Sequence, residues 1–316
     1  MWYKPFVPAS GTQGNQARLS SEAHPTQAYV YALWSSLAFA TMGALSHLAG
    51  ERCDWRFVAA ARTSLAFVFA LGLTLSAGVR PVFPGPRVLW VRSVAGSTGL
   101  LCAFYALTHL PVSTALTLSS TVPVWVTLLA WPLLGQRPQA RVWAAVGVGL
   151  GGVVLVQRPE VSGGWLAGAL AVVSAACTAV ATIGLNKLGA TDARAVVTHF
   201  SGVSTVFVLV FLAATAGEGA LDLPRDPATL ALLLGVGLAG TAGQIFMTRA
   251  FAQGSPPRVS VVGLTQIVFA IVYDLLVWRR PLDRLTAVGI LLVAAPSAWL
   301  MLHNPLRRGA AVHTTG

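Results

Sequence analysis

Neutral hydrogen-bonding side chains recur at helical spacing inside long apolar stretches of this chain. One stretch carries Thr178 and Thr182, another carries Gln244, and a third places Gln266 and Tyr273 seven residues apart. Residues four or seven positions apart share one face of a helix. A polar face in lipid should be turned toward protein or water, because facing hydrocarbon costs free energy. These side chains therefore either bind a polar ligand or hydrogen-bond neighbouring helices, and the sequence leaves both roles open.

A second set combines hydroxyl and aromatic groups with a helix breaker. Thr121 and Trp125 are four residues apart, and Pro123 between them lacks a backbone N–H, which favours a kink. We expect Pro123 to act as a hinge beside a pocket, although the hydroxyls can equally satisfy their own helix. Trp34, Tyr105 and Trp125 are aromatic groups that could stack on a flat or cationic solute, or simply pack.

Ionisable residues within the apolar stretches are few, and each costs about 2.5–3.5 kcal/mol at the centre of a membrane helix. Arg62 and Asp274 can form a charge pair if both lie in the outer third of the membrane. Arg92 and Arg249 lie near stretch ends, where a long side chain can reach the interface by snorkelling. Arg249 can instead contact a ligand at the mouth of a path.

The elements that position these groups follow from composition. Hydrophobic residues make up 55% of the chain and charged residues 10%, whereas soluble domains carry about 25% charged residues. Ten apolar stretches approach the ~20 residues that a bilayer core requires. They span 28–49, 55–78, 88–108, 112–134, 141–157, 164–186, 195–216, 227–250, 258–278 and 286–303. The sequence therefore predicts an all-α polytopic membrane protein with ten transmembrane helices.

The charged residues indicate orientation. The net charge of +11 lies mostly in the loops, so it does not indicate nucleic-acid binding. Lys and Arg favour the side that holds the N-terminus, which predicts an inner-membrane protein with both termini in the cytoplasm. Residues 1–27 are polar and are expected to form a disordered cytoplasmic tail, and 304–316 a second cytoplasmic tail.

Two parts of the chain, 91–140 and 235–284, align as copies of one segment. Setting Gly96 against Gly240 also aligns Gly99 with Gly243, Ala106 with Ala250 and, after a one-residue slip, Arg137-Pro138 with Arg280-Pro281. Two halves with five spans each, 28–158 and 159–303, must insert in opposite orientations. Secondary transporters use such inverted repeats, with the substrate bound where the repeats meet.

Short motifs in both copies carry a family resemblance. The second copy reads Gly243-Gln244-Ile245-Phe246-Met247, then Gly254-Ser255-Pro256 and Thr265-Gln266-Ile267. The first reads Phe104-Tyr105-Ala106-Leu107, then Leu110-Pro111 and Ser120-Thr121-Val122-Pro123. In order and spacing these resemble the EamA-type branch of the drug/metabolite transporter superfamily over residues 28–303. That family usually closes spans four and nine with Gly-Glu, whereas this chain has Gly135-Gln136 and Arg279-Arg280.

The resemblance implies a central cavity lined by spans one, three, four, six, eight and nine. It also implies alternating-access transport of a small polar organic metabolite, without ATP hydrolysis. The intramembrane arginines favour an amino acid or related carboxylate. The alternative is proton-coupled efflux of lipophilic cations, with Asp274 as the proton-sensing group. The candidate substrate-binding residues are Trp34, Tyr105, Thr121, Trp125, Thr178, Thr182, Gln244, Gln266 and Tyr273, with Arg62, Arg249 and Asp274 as candidates for coupling.

Enzymatic functions find no support in the residue pattern, whereas a passive channel or a lipid flippase stays open. Paired carboxylates, a metal-binding cluster and an activated nucleophile are all missing from the sequence, so an enzyme is not expected. No G-x-x-x-x-G-K-[ST] loop is present to cradle a nucleotide. We expect no cofactor, metal or nucleic-acid partner. The partners are membrane lipids and a small-molecule substrate, and the protein is expected to act as a monomer or homodimer.

Overall fold

The computed structural model describes residues 25–159, 164–214, 226–279 and 281–302. The predicted tail 304–316 and residues 1–24 of the predicted tail 1–27 lie outside these ranges. The described residues form twelve α-helices and no strand. The helices are α1 Pro25–Gly50, α2 Trp55–Ser76, α3 Arg87–His109, α4 Val112–Ser119, α5 Val122–Leu134, α6 Ala140–Gln157, α7 Trp165–Lys187, α8 Ala193–Ala214, α9 Pro227–Gln253, α10 Pro256–Gly263, α11 Thr265–Leu276 and α12 Arg284–Leu302.

Ten helical segments among the described residues are long and apolar enough to cross a membrane. Eight are single helices, the fourth span is α4 followed by α5, and the ninth is α10 followed by α11. The all-α, ten-span prediction is confirmed, with boundaries within a few residues of the apolar stretches. An even number of crossings returns residue 302 to the side of the membrane where residue 25 lies.

The two broken spans are equivalent in the repeats. α3 ends at His109 and α9 ends at Gln253, at the same offset that aligns Gly96 with Gly240. The helices that follow, α4 and α10, are both 8 residues long and start at that offset too. The repeat inferred from the sequence therefore extends to the ends of individual helices.

The breaks also explain the one-residue slip in the alignment. Ser120 and Thr121 separate α4 from α5, with ψ of −3° and −1°. Leu264 alone separates α10 from α11, with ψ of −20°. Thr121 N donates to Leu118 O at 3.1 Å, so the chain turns with tighter three-residue bonds at this point. Such a turn inside a helix often marks a hinge.

The two halves interlock rather than lie side by side. The first helix of each half packs against the third span of the other, α1 on α9 and α7 on α3. α2 packs on α8 and α6 packs on α12, each pairing one span with its repeat equivalent. This exchange pattern is that of a two-fold relation between halves of opposite orientation. The interfaces between halves therefore hold most of the structure together.

One hydrogen bond is repeated at the two equivalent interfaces. Ser35 Oγ in α1 donates to the carbonyl oxygen of Gly243 in α9 at 3.0 Å. Ser174 Oγ in α7 donates to that of Gly99 in α3 at 2.7 Å. A Cβ on Gly243 would lie 2.8 Å from the ring of Phe39, so glycine is needed for this close approach. The aligned glycines therefore mark backbone contacts between the halves.

Substitution of either serine by alanine should weaken the contact between halves. We expect Ser35→Ala and Ser174→Ala each to lower the free energy of unfolding by about 0.6 kcal/mol and at most about 1.7 kcal/mol, the range for such bonds in membrane proteins. Unfolding in mixed micelles measures this. Ser76→Ala is the control, because its hydroxyl bonds only within its own helix, to Leu73 O. Equal stability of Ser35→Ala, Ser174→Ala and the control would show that these two hydrogen bonds do not stabilise the contact between the halves.

Candidate functional site

A cavity of about 330 Å³ lies where the two helix breaks meet. We call it the central cavity. The fourth span contributes Ser119, Ser120 and Pro123 to its wall, and the ninth contributes Gly263 and Gln266. Equivalent parts of both repeats therefore face the same space. A site with this placement is formed only when both halves are present.

The remaining wall comes from other spans of both halves. α1 contributes Ser35 and Ser36, α7 contributes Thr178 and Thr182, and α9 contributes a short apolar strip. Spans one, four, six, eight and nine line the cavity, as the family resemblance implies. Span three adds none of the described lining residues, whereas span five, which the resemblance does not include, adds Gln157. Gln157 reaches the cavity because it is the last residue of α6.

The wall is mostly apolar, and the polar side chains on it are uncharged among the described residues. Ser36 Oγ donates to Gly263 O at 3.3 Å and Ser120 Oγ to Leu116 O at 2.7 Å, so these hydroxyl protons are engaged. The side-chain amides of Gln157 and Gln266 hydrogen-bond to no other residue in the described ranges. Each amide can donate and accept. The cavity can therefore hydrogen-bond a polar solute without offering a charge to it.

Four of the candidate residues lie on this wall: Pro123, Thr178, Thr182 and Gln266. Pro123 lies in the first turn of α5, where its missing N–H removes no helical hydrogen bond. Pro123 therefore does not kink a continuous helix. The helix is instead interrupted at Ser120 and Thr121, and Thr121 lies two residues before Pro123. Thr121 lies in that interruption and donates its hydroxyl to Leu118 O at 2.6 Å. The roles of these five residues in substrate binding or as a hinge stay predictions.

The three candidate aromatic residues lie in different surroundings. Trp34 is 52% exposed and its ring lies 6.4 Å from that of Phe246. Tyr105 stacks on His109 with ring centroids 4.0 Å apart. Trp125 packs against the apolar contact between α5 and α7. The structure does not bring the three rings together, since each faces a different neighbour.

Tyr273 and the two members of the candidate charge pair also lie away from the wall. The Tyr273 hydroxyl lies 2.6 Å from Thr41 Oγ1, which donates to Leu37 O, so Tyr273 is the donor. Asp274 is half-buried on the same helix, α11, which packs against α1 and α12. Arg62 is on α2 and lines a small space between α2, α3, α8 and α9. The structure therefore places Arg62 and Asp274 in different helix interfaces.

Arg92 is buried, and the expectation that it snorkels is wrong. Its side chain is 1% exposed. Nη2 donates to Gln244 Oε1 at 3.0 Å, and the guanidinium carbon lies 3.7 Å from the centroid of the Phe200 ring. A cation over an aromatic face is attracted by the ring quadrupole. Gln244 is thus bound to an arginine of the other half and does not line the central cavity.

Arg249 lies at the end of α9, beside the connection between α7 and α8. Its guanidinium carbon is 5.7 Å from the centroid of the Tyr31 ring. In that connection Arg194 donates hydrogen bonds to Asp192, which holds the pKa of that carboxyl below its usual range, with a smaller contribution from the charge of Arg249. This side of the protein therefore carries a cluster of opposite charges around the mouth candidate Arg249.

The sequence analysis did not predict several wall residues, among them Ser35, Ser36 and Gln157, or the burial of Arg92. Ser35 and Ser36 are visible as a polar pair within an apolar span, which is a usable signal. Gln157 is the last residue of the apolar stretch 141–157, which otherwise has almost no polar side chains. The position of Arg92 depends on Phe200 and Gln244, which are distant in sequence. Local patterns do not show such partners.

Comparison with known proteins places the chain among transporters. The model of the EamA-like transporter family matches residues 26–158 and 163–302. The chain is 30% identical over 267 residues to the pseudopaline exporter CntI of Pseudomonas aeruginosa, covering 84% of this chain and 92% of that protein. It is 30% identical over 254 residues to the riboflavin transporter of Rhizobium johnstonii, covering 75% of this chain and 79% of that protein. A protein crystal structure has the same fold, with a TM-score of 0.76 at 16% identity over 89% of this chain and 98% of that one.

Proposed function

Because this chain belongs to the EamA-like transporter family, we propose that it is a secondary active transporter that moves a small polar organic metabolite across the inner membrane. The observation that carries the proposal is the central cavity, whose wall includes the helix breaks of both repeats. Transporters with inverted repeats bind substrate between the repeats, at discontinuous helices. Alternating access then follows when the halves 28–158 and 159–303 rock against each other.

The chemistry of the wall supports an amino acid or related carboxylate. A zwitterion carries no net charge, which suits a wall without charged residues among those described. α5 and α11 begin at the cavity, whereas α4 and α10 end there. Helix N-termini favour negative groups and C-termini favour positive groups. Gln157 and Gln266 add amides that can hydrogen-bond either group.

Other parts of the proposal rest on charge distribution and on relatives. Two relatives are named for pseudopaline and riboflavin, which supports an organic cargo. Both termini are proposed to be cytoplasmic, because Lys and Arg favour that side. Asp274 is the candidate for proton coupling, Pro123 for a hinge and Arg249 for the cytoplasmic mouth. Efflux of lipophilic cations is less supported, because the described wall has no carboxylate to attract a cation.

The direct test combines ligand binding with one wall variant. We expect an amino acid or another small carboxylate to raise the melting temperature of the purified protein and to be taken up by proteoliposomes. Gln266→Ala should weaken binding about tenfold, which corresponds to one lost hydrogen bond of about 1.4 kcal/mol. Gln139→Ala, at an exposed position before α6, is the control.

Two outcomes would contradict this proposal. If Gln266→Ala bound the solute as tightly as wild type, the central cavity would not be the substrate site. If only lipophilic cations stabilised the protein, and if Asp274→Asn stopped their export, the efflux alternative would replace the proposal. Flux measured with and without a proton gradient separates coupled from uncoupled transport.

A further inference from the structure

A second cavity is lined by an arginine and by no carboxylate of the described residues. It measures about 20 Å³ and is lined by residues of α2, α3, α8 and α9. We call it the arginine cavity. Its lining residues are Arg62, Thr63, Ala66, Leu100, Phe200, Ser201, Ser204, Gly240 and Gln244. A space of this size holds one water molecule or one monatomic ion.

Arg92 adds a second guanidinium beside this cavity. It lies against two lining residues, over the face of Phe200 and bonded to Gln244 Oε1. Its Nε and Nη1 are buried and have no hydrogen-bond partner in the described structure. Arg62, on the lining itself, makes no hydrogen bond or ion pair with any residue of the described ranges. Two guanidinium groups, one on the lining and one beside it, therefore have N–H groups without an acceptor among the described residues.

Gln244 adds a further donor, and its orientation follows from Arg92. Because Arg92 Nη2 is a donor, the amide oxygen of Gln244 must be the atom that faces it. The amide nitrogen of Gln244 is then left to donate elsewhere, and no residue of the described structure accepts from it. Ser204 is already engaged with Ser97 at 2.9 Å. The region therefore contains several donors that have no partner among the described residues.

No described carboxylate compensates the two positive charges. The carboxylates in the described connections lie at helix ends, each within 4.0 Å of a basic group: Glu51, Asp54, Asp192, Asp226 and Asp283. Asp274 is on α11, in a different interface. None of them lines the arginine cavity. Buried charges are normally paired, because an unpaired charge loses its hydration without compensation.

We propose that the arginine cavity binds one small monovalent anion, held by Arg62, Arg92 and the amide nitrogen of Gln244. The anion neutralises charge between α2 and α3 of one half and α8 and α9 of the other. It therefore stabilises the contact between the halves. The proposal does not depend on the cargo of the central cavity, since that cavity is lined by different residues.

Two kinds of ligand fit this site, and both carry a single negative charge and accept hydrogen bonds. One is a free halide, and the volume of about 20 Å³ favours this source. The other is the carboxylate of an organic acid. Chloride and formate represent the two sources in the experiment, and gluconate is too large to enter.

The experiment measures thermal unfolding of the purified full-length protein at constant ionic strength, with sodium gluconate replaced stepwise by sodium chloride or sodium formate. We expect a saturable rise in melting temperature with chloride, of about 2–4 °C. A rise with formate but not with chloride would identify a carboxylate as the ligand. Identical melting temperatures in all three salts would overturn the proposal, because the cavity would then hold water only.

Two variants test the location of the site. Gln244→Glu places a built-in carboxylate beside Arg92, so this variant should be more stable than wild type in gluconate and lose its response to chloride. Arg92→Gln should also lose the response, and Arg141→Gln, at an exposed position at the start of α6, should keep it. If Arg92→Gln does not fold, Gln244→Glu decides alone. A wild-type chloride response in Gln244→Glu would place the anion elsewhere and overturn the proposal.

Discussion

Gly263→Trp is expected to reduce solute flux to background while the protein stays folded. Gly263 is the last residue of α10 and lies on the wall of the central cavity. A Cβ at this position would meet no atom within 4 Å. The indole therefore extends into the cavity rather than into a packed interface, and it fills space that the solute and the moving helices need.

The measurement is uptake or export by proteoliposomes, together with the melting temperature and elution profile of the purified variant. Gly151→Trp is a matched control, because Gly151 is an exposed glycine on α6 whose Cβ would also meet nothing within 4 Å. The control should transport at the wild-type rate. Wild-type flux in a folded Gly263→Trp protein would show that the solute does not pass through the central cavity.

Gly152→Leu is expected to destabilise the protein more than any other single change considered. α6 and α12 approach each other at Gly152 and Gly289. A Cβ on Gly152 would lie 2.7 Å from the carbonyl oxygen of Gly289 and 2.9 Å from the Cβ of Leu292. Backbone atoms cannot rotate away as a side chain can, so the two helices must separate.

Overpacking of this kind costs typically about 1–3 kcal/mol and occasionally more. That is a large part of the ~5–15 kcal/mol that keeps a protein folded. We expect a lower melting temperature and a smaller monodisperse fraction after purification. Gly151→Leu, one residue away at an exposed position, should behave as wild type. Equal stability of the two variants would show that α6 and α12 are not packed at Gly152.

Much of the architecture could be predicted because the membrane imposes simple requirements on each segment. A span needs about 20 apolar residues wherever it lies in the chain, so ten spans can be counted without knowing their neighbours. The two-copy alignment located the breaks indirectly, since its one-residue slip arises from two residues in one break and Leu264 alone in the other. The alignment of Gly99 with Gly243 likewise marked a contact that the structure contains twice.

Helical periodicity identified a residue of the cavity wall only where the orientation of that residue's own helix decides which space it faces. Thr178 and Thr182 lie on the central cavity wall because their helix turns one face to the other half. The same reasoning selected Gln244 as a substrate-binding residue, but Gln244 does not line the central cavity. Its amide instead accepts a hydrogen bond from Arg92. Spacing identifies a polar face but not the group that this face meets.

By itself, the sequence determined the fold class, the number of spans, the inverted repeat and the family, because each depends on patterns within a segment or between two similar segments. Only the tertiary structure decided that Arg92 is buried and that Trp34, Tyr105 and Trp125 stand apart. The physical reason is that a side chain's environment depends on residues brought near it by packing. Arg92 and Gln244 belong to different halves of the chain, and their contact exists only when α3 and α9 are packed together.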